Sequence, residues 1–558
     1  MNLISDAWLP VIRASGKRDK IAPWQIAGRA APVADPIIEL NAPRPDFQGA
    51  LYQFLIGLLQ TCFAPTDPDE WVKYWKEPPD SETLKDRFMN LASAFELFNP
   101  NGTAAFMQDF NLPKGETRNI ATLLMDFPGD KTIGDNLDHF VKRDSVVKVC
   151  HRCAAMALFT LQLNAPAGGN GHRVGLRGGG PLTTLVKPTE DLDLWSKLWL
   201  NVLNAEDIAD SIEKPTADVF PWMGPTRVST QKVVNKVKYY IGDGVPTAPS
   251  DTHPLQHYWG MPRRIRILSR ADAIGKCDLC GDDSANVVSN CRTGTWGVDY
   301  VGAWVHPLTP YRFDANKEKP PLSLKGQEGG VGYRDWIALV LAHSDKGDCA
   351  AKCTRAYMDQ RARNIGSQRF ARLWCFGYDM NKMQARCWYD HTLPLFHLDK
   401  SQRENVLSWA GELIDAAGDV AKTLQMQVKS AWFSRPGDVK TDDVRGVLRG
   451  VVKEFWQQSE PVFYDLLERL VTLPGEQRLA PPHIYAIWAT RIQALVYNLF
   501  DAWALAAPAE DLDMKRIIAA RLSLTKKMNH SGHMKALFAK ANSRKGVKNA
   551  TNTTLPLP

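Results

Sequence analysis

Four cysteines stand in two Cys-x-x-Cys knuckles, Cys150 with Cys153 and Cys277 with Cys280. Each knuckle offers two thiolates from one tight turn, and four sulfurs close a tetrahedral shell around one Zn(II), leaving no open position for a substrate. Such a metal would be structural. Compact zinc ribbons separate their knuckles by roughly 15 to 20 residues, whereas here a whole subdomain is inserted between the pairs. Two unrelated pairs of buried cysteines are the alternative. Gly281 after the second knuckle, with Lys148, Arg152 and Lys276 beside the thiolates, favours a shared metal.

The second chemical signal is a stretch at 165–181 with seven glycines and two arginines. Glycine permits positive φ and close backbone approach. Gly168, Gly169, Asn170 and Gly171 could therefore bring main-chain N–H groups against a phosphate or a groove edge, with Arg173 and Arg177 on the flanking phosphates. A flexible surface loop explains the same composition. The twelve histidines fall in no catalytic pattern: there is no His-Glu-x-x-His helix, P-loop or Gly-x-Ser-x-Gly elbow, and no carboxylate cluster spaced for two Mg(II) ions. Asp390 and His391 read as a surface turn rather than a nuclease pair. Cys349 and Cys353 read as packing rather than a second metal.

These residues need elements to hold them, and 558 residues with 44% hydrophobic content can bury a sizeable core, in about two to four domains. No run reaches a membrane span, and the longest candidate, 51–63, is broken by Gln53, Gly57 and Gln60. The N-terminus has no signal-peptide pattern, and the scattered remaining cysteines fit a reduced, cytoplasmic protein better than a disulfide framework. The net charge of +7 is a weak pointer to a polyanion. The cluster Arg263, Arg264, Arg266 and Arg270 just before the second knuckle is a stronger one.

Two β-prone runs at 8–12 and 20–26 predict a hairpin. Helical spacing follows at 49–63, 81–98, 154–162 and 192–203, and β-prone residues from 280 to 307 predict a small sheet around the cysteines. After residue 400 the pattern changes. Ser401 with Glu404 has the form of a capping box, and apolar residues then recur at three- and four-residue intervals. Further periodic segments at 442–459, 461–473, 481–506 and 513–540 predict an antiparallel helical bundle. Its polar faces carry Lys422, Lys429, Arg445 and Arg449. The basic and then Thr/Asn/Pro-rich tail, 542–558, has the composition of a disordered segment.

MNLISDAWLPV at the start, AFMQD at 105–109, AAMALF after the first knuckle, GLRGGGPLTTLV at 175–186, GKCDLCG at the second knuckle and WVHPLTP at 304–310 occur in one order. Together with FGYDMNKMQARCWYD at 376–390 they resemble the large subunit of the type I-E CRISPR Cascade complex, the CasA family. The resemblance implies a non-catalytic subunit of an RNA-guided surveillance complex. In such complexes guide pairing reads the target and protein reads a short adjacent motif, the PAM. It also implies an α/β N-terminal domain with the zinc site, and a C-terminal four-helix bundle. The expected fold is therefore α+β: a mixed domain at 1–395, a helical bundle at 396–541, then the tail.

The expected partners are the other Cascade subunits, the crRNA guide, target double-stranded DNA, its displaced strand and a helicase-nuclease. By the resemblance, Phe140, Val141 and Lys142 correspond to the loop at the guide end and PAM, and 168–171 to the family's glycine loop, with Asn170 departing from an all-glycine pattern. The family's PAM-reading lysine falls on Thr295, with Arg292 the nearest basic residue. Its wedge, a hairpin tip inserted beneath the PAM, falls on Asn381, Lys382 and Gln384, where an ordinary polar turn is the plain alternative. The rival function is a stand-alone zinc-containing nucleic-acid-processing enzyme.

Overall fold

The computed structural model describes residues 1–543 except 28–34, 100–103, 113–114, 129–143, 170, 190–191, 230, 235–236, 241–244, 269–273, 317, 342–346, 366–370, 382–383 and 440–444. Two compact units emerge. One comprises Met1–Gly330 with Ala338–Leu395, the other Val331–Ile337 with Phe396–Pro558.

The first unit is built on helix α1, Pro45–Cys62, which is buried on nearly every side. A helix apolar all round must lie inside a core. Phe54 at its middle meets Trp8, Phe95, Phe106, Phe159 and Trp259 edge-on, with ring centroids between 5.5 and 6.0 Å apart. Such pairs add about 0.5–1.5 kcal/mol each beyond area burial. The N-terminal strands β1, Leu9–Arg13, and β2, Arg18–Ile21, pair as expected, and a third strand, β3 (Ile37–Leu40), joins the other edge of β1. The helix expected over 81–98 stops at Met89, followed by a 3₁₀ turn at Ala92–Phe95 that directs Phe95 into the aromatic cluster.

Small sheets position the chemistry. Strand β4 (Glu116–Asn119) lies beside β11 (Asn290–Gly294), which also pairs with β7 (Arg264–Leu268). The first knuckle sits on β5 (Val149–Cys150) and the start of α2 (His151–Asn164); the second sits in the turn between β8 (Gly275–Lys276) and β9 (Asp283–Ser284). Strand β10, Val287–Val288, pairs with β5 and so draws the two knuckles together. A third sheet places β12, Ala371–Asn381, between β6 (Thr183–Pro188) and β13 (Gln384–Leu395). Cys349 is on a short strand and buried Cys353 is in a helix, donating its thiol hydrogen to the Thr184 carbonyl. Cys353 is thus packing.

The described residues of the second unit hold five α-helices: α3 (Lys400–Trp432), α4 (Arg445–Val471), α5 (Pro482–Ala504), α6 (Met514–His530) and α7 (Gly532–Ala541). The other four all contact α3. The segments expected at 442–459 and 461–473 form one helix through Pro461. Proline inside a helix costs about 3 kcal/mol. The buried stripe Leu448, Val451, Phe455, Phe463, Leu466 and Leu470 runs across it and offsets that cost. Conversely 513–540 breaks at Ser531, whose hydroxyl accepts from Met534 N–H and caps α7. The cap of α3 also differs from expectation: Gln402 Oε1 accepts from Asp399 N–H at 3.2 Å, two residues earlier than Ser401 and Glu404 would place it.

Candidate functional site

The sulfurs of Cys150, Cys153, Cys277 and Cys280 all lie within 4.8 Å of one another although 123 residues separate the knuckles' facing ends. Cys150 Sγ is 3.8 Å from Cys280 Sγ. A tetrahedron with metal–sulfur bonds of about 2.3 Å has an edge of about 3.8 Å, so this spacing fits a metal shell. The knuckles are also clamped by carboxylates. Asp278 Oδ2 accepts from Val147 and Lys148 N–H, both at 2.8 Å, and Asp282 accepts from Arg152 at 2.7 Å and from Lys20 of β2 at 3.0 Å. Hydrogen bonds from Cys150 and Cys153 hold the Cys277 thiol far below its ordinary value, and Cys280 is held down to about 7, chiefly by Cys153. Cys150 and Cys153 are pushed up in turn, Cys150 to about 11, so two of the four thiols are drawn toward the thiolate a cation requires while the other two keep their protons.

The glycine loop and the Thr295 turn, far apart in sequence, meet. Gly171 has φ +82°, and a Cβ there would lie 2.8 Å from Thr295 Cβ and 3.0 Å from the Trp296 ring. Its carbonyl accepts from Trp296 N–H at 2.7 Å. Trp296 itself has φ +63°, which a bulky residue adopts only when its surroundings hold it there. Thr295 is exposed beside this contact, whereas Arg292 is half-buried within β11 opposite Thr117 and Arg266. Asn170 and the loop residues Phe140, Val141 and Lys142 lie outside the described residues.

The segment expected to form the wedge is the end of the β12–β13 hairpin, with exposed Asn381 paired to exposed Gln384. Lys382 lies outside the described residues. A bulge follows, where Arg386 is the extra residue between partners Asp379↔Cys387 and Met380↔Ala385. Arg386 pairs with Asp379 at 2.8 Å and Glu328 at 3.1 Å. Bulges bend and twist a strand, so this one aims the tip. The second glycine turn supports the same strand: a Cβ on Gly180, φ +56°, would collide with Met380. Asp390 and His391 lie within β13 rather than in a turn, because β pairing with Phe376 and Cys375 continues through them.

The expected phosphate contacts need correction. Arg177 is buried, its guanidinium donating to Gln53 at 2.7 Å, Thr309 at 3.0 Å and Thr183 at 3.1 Å. It ties α1 to β6 from inside and cannot reach a phosphate; burial pushes it down to about 10. Arg173 is partly exposed but fully engaged, by Ser229 Oγ at 2.8 Å, the Ser229 carbonyl at 2.9 Å and Asp299 at 3.1 Å, with Trp296 beneath it. It braces the 295–296 turn. Three arginines of the cluster also turn inward, Arg270 lying outside the described residues: Arg264 pairs with buried Asp109 at 2.6 Å, Arg266 donates to the Asp109 carbonyl, and Arg263 donates to the Pro166 carbonyl. On the bundle, Lys422 is exposed, while Lys429 donates to the Val439 carbonyl at 2.9 Å.

Sequence reasoning missed Trp296, Asp278 and Arg386. Their roles rest on a backbone angle, a carboxylate facing another segment and a register shift, none of which leaves a pattern in the sequence.

Four likenesses to known proteins accompany this geometry. The family model described as CRISPR-associated protein Cse1 matches residues 2–499. The fold is similar to CasA of Thermus thermophilus, with a TM-score of 0.66 at 18% identity, covering 95% of this chain and 100% of that one. Cse1 of Acidimicrobium ferrooxidans gives 0.65 at 16% identity, over 97% and 99%. A chain of a CRISPR RNA-guided surveillance complex gives 0.61 at 15% identity, over 94% and 99%.

Proposed function

The chain belongs to the CRISPR-associated protein Cse1 family, and from that premise we propose that it is the non-catalytic large subunit of a type I-E surveillance complex that reads the PAM in duplex DNA. The observation that carries this reading is the meeting of Gly171 with Thr295 and Trp296. A glycine backbone and a small exposed hydroxyl present a narrow edge, braced from behind by Arg173, that can enter a minor groove. The minor groove offers mainly an A·T-versus-G·C distinction, so a tolerant PAM preference follows.

The hairpin end at Asn381 and Gln384 then acts as the wedge. Its amides can pair with groove edges as bases part, and inserted side chains offset part of the few kcal/mol that unstacking costs. Lys382 would add a phosphate contact. The four cysteines would hold Zn(II), whose contribution is to lock the two knuckles together. Nothing in this mechanism requires the metal to touch DNA. The helical unit supplies docking faces for other subunits, the displaced strand and the helicase-nuclease.

The test is the assembled complex with its guide RNA, challenged with a randomised PAM library. A restricted set of bound sequences that relaxes on substitution at Thr295 is expected. Indifference to flanking sequence would refute PAM reading. Cleavage of DNA by the purified chain with Mg(II) or Mn(II) would favour the rival enzyme.

A further inference from the structure

The chain's positive charge is concentrated beyond residue 513. Ten of its 68 Lys and Arg, and none of its 61 Asp and Glu, lie in 514–558, which leaves the rest of the chain at −3, 58 basic against 61 acidic. This region also lies past the residues that the family model matches, 2–499. The helices α6 and α7 sort these charges by direction. Cations on the inner side are paired: Arg516 with Asp513, Arg521 with Asp501, and Lys540 with Glu412. Lys515, Lys526, Lys527 and Lys535 are exposed, and among the described residues no carboxylate pairs with them.

Lys515 and Lys526 are three helical turns apart, on one face and about 16 Å from each other along the axis. Between them on that side are Ile518 and Leu522, 54% and 66% exposed, with Met514 at 49%. An exposed stripe of cations framing apolar side chains suits a ligand that carries a regular row of negative charge together with uncovered flat apolar faces. Duplex DNA hides its base faces, and a single strand presents them.

We infer that the outer face of α6 and α7 binds single-stranded nucleic acid, through phosphate contacts from Lys515, Lys526, Lys527 and Lys535 and base contacts on Ile518 and Leu522. This deepens the function proposed above and rests on it for which strand is bound, since strand opening supplies a single strand near the protein. It assigns that strand a surface outside the sequence the family model matches.

The experiment measures binding of the full-length chain to a fluorescent oligo(dT), to a duplex of equal length and to anionic phospholipid vesicles across a salt series. Each lysine on a single strand contributes about 0.7 to the slope of log affinity against log salt. The triple variant K526Q/K527Q/K535Q should lower that slope by about 2 and weaken oligo(dT) binding on the order of 100-fold at about 0.1 M salt. The I518S/L522S variant should weaken oligo(dT) binding and leave duplex binding unchanged. Thermal melting controls for folding, since the substituted side chains are exposed. An unchanged slope in the triple variant overturns the inference, as does a loss seen only on vesicles, or a wild-type chain that does not bind oligo(dT). The assembled triple variant should retain its PAM preference. Failure of wild-type complex to select a PAM would sink the function proposed above and leave the oligo(dT) result standing.

Discussion

Gly171→Ala tests the contact on which the proposed PAM reading rests, with Gly169→Ala as its internal control. At φ +82° an alanine costs about 1–2 kcal/mol in the left-handed region. Its Cβ would stand 2.8 Å from Thr295 Cβ and 3.0 Å from two Trp296 ring carbons, against a comfortable carbon separation of about 3.5–4.0 Å. The 295–296 turn must therefore give by several tenths of an ångström. The stiffer unfolded chain returns roughly 0.4–1 kcal/mol. A net loss of about 1–2 kcal/mol, a factor of about 5–30 in an equilibrium, is the expected result. Gly169 has no atom within 4 Å of its Cβ position, so its alanine variant should be near neutral. Urea unfolding of the chain reads the stability loss, and binding of the assembled complex to a PAM library reads the functional one. Gly171→Ala should relax discrimination among PAM sequences while Gly169→Ala keeps it. Equal behaviour of the two variants in both assays would refute the argument that the loop and the turn form one surface.

Three further outcomes follow from the geometry. Purified chain should carry one zinc, and Cys277→Ser should lose it and destabilise the first unit by several kcal/mol, of the order of a structural site's folding contribution; metal analysis that finds no zinc in protein never exposed to chelator contradicts this. Burial, with the Arg177 charge second, pushes Lys325 down to about 8, so between about pH 8 and the ordinary lysine value of about 10.4 the unfolded chain holds more protons and this group makes stability rise with pH. Lys325→Met should shrink the gain in urea midpoint between those pH values, and an unchanged gain refutes the assignment. Gln384→Ala should slow R-loop formation on intact duplex, where opening costs about 1.4 kcal/mol per base-pair step, and spare a target already unpaired beside the PAM; equal rates on both targets would exclude Gln384 from the wedge.

Local pattern was enough to identify the knuckles, the hairpins and most helices, because thiol spacing and apolar period are written in consecutive residues. It also exposed the order of motifs that marks the family. Charge was a poorer guide. Arg177, Arg264 and Arg266 have the composition of a nucleic-acid surface, yet they turn inward to Gln53 and Asp109, since a buried polar partner contributed by a distant segment leaves no trace beside an arginine in sequence. Pro461 reads locally as a helix boundary, but the apolar stripe on both sides of it packs as one face and tertiary burial prevails. The meeting of Gly171 with Thr295, the bulge at Arg386 and the closure of four sulfurs across 123 intervening residues are likewise decided only in three dimensions. Sequence specifies which groups are available and what each short segment prefers; strand register and core packing determine which of them meet.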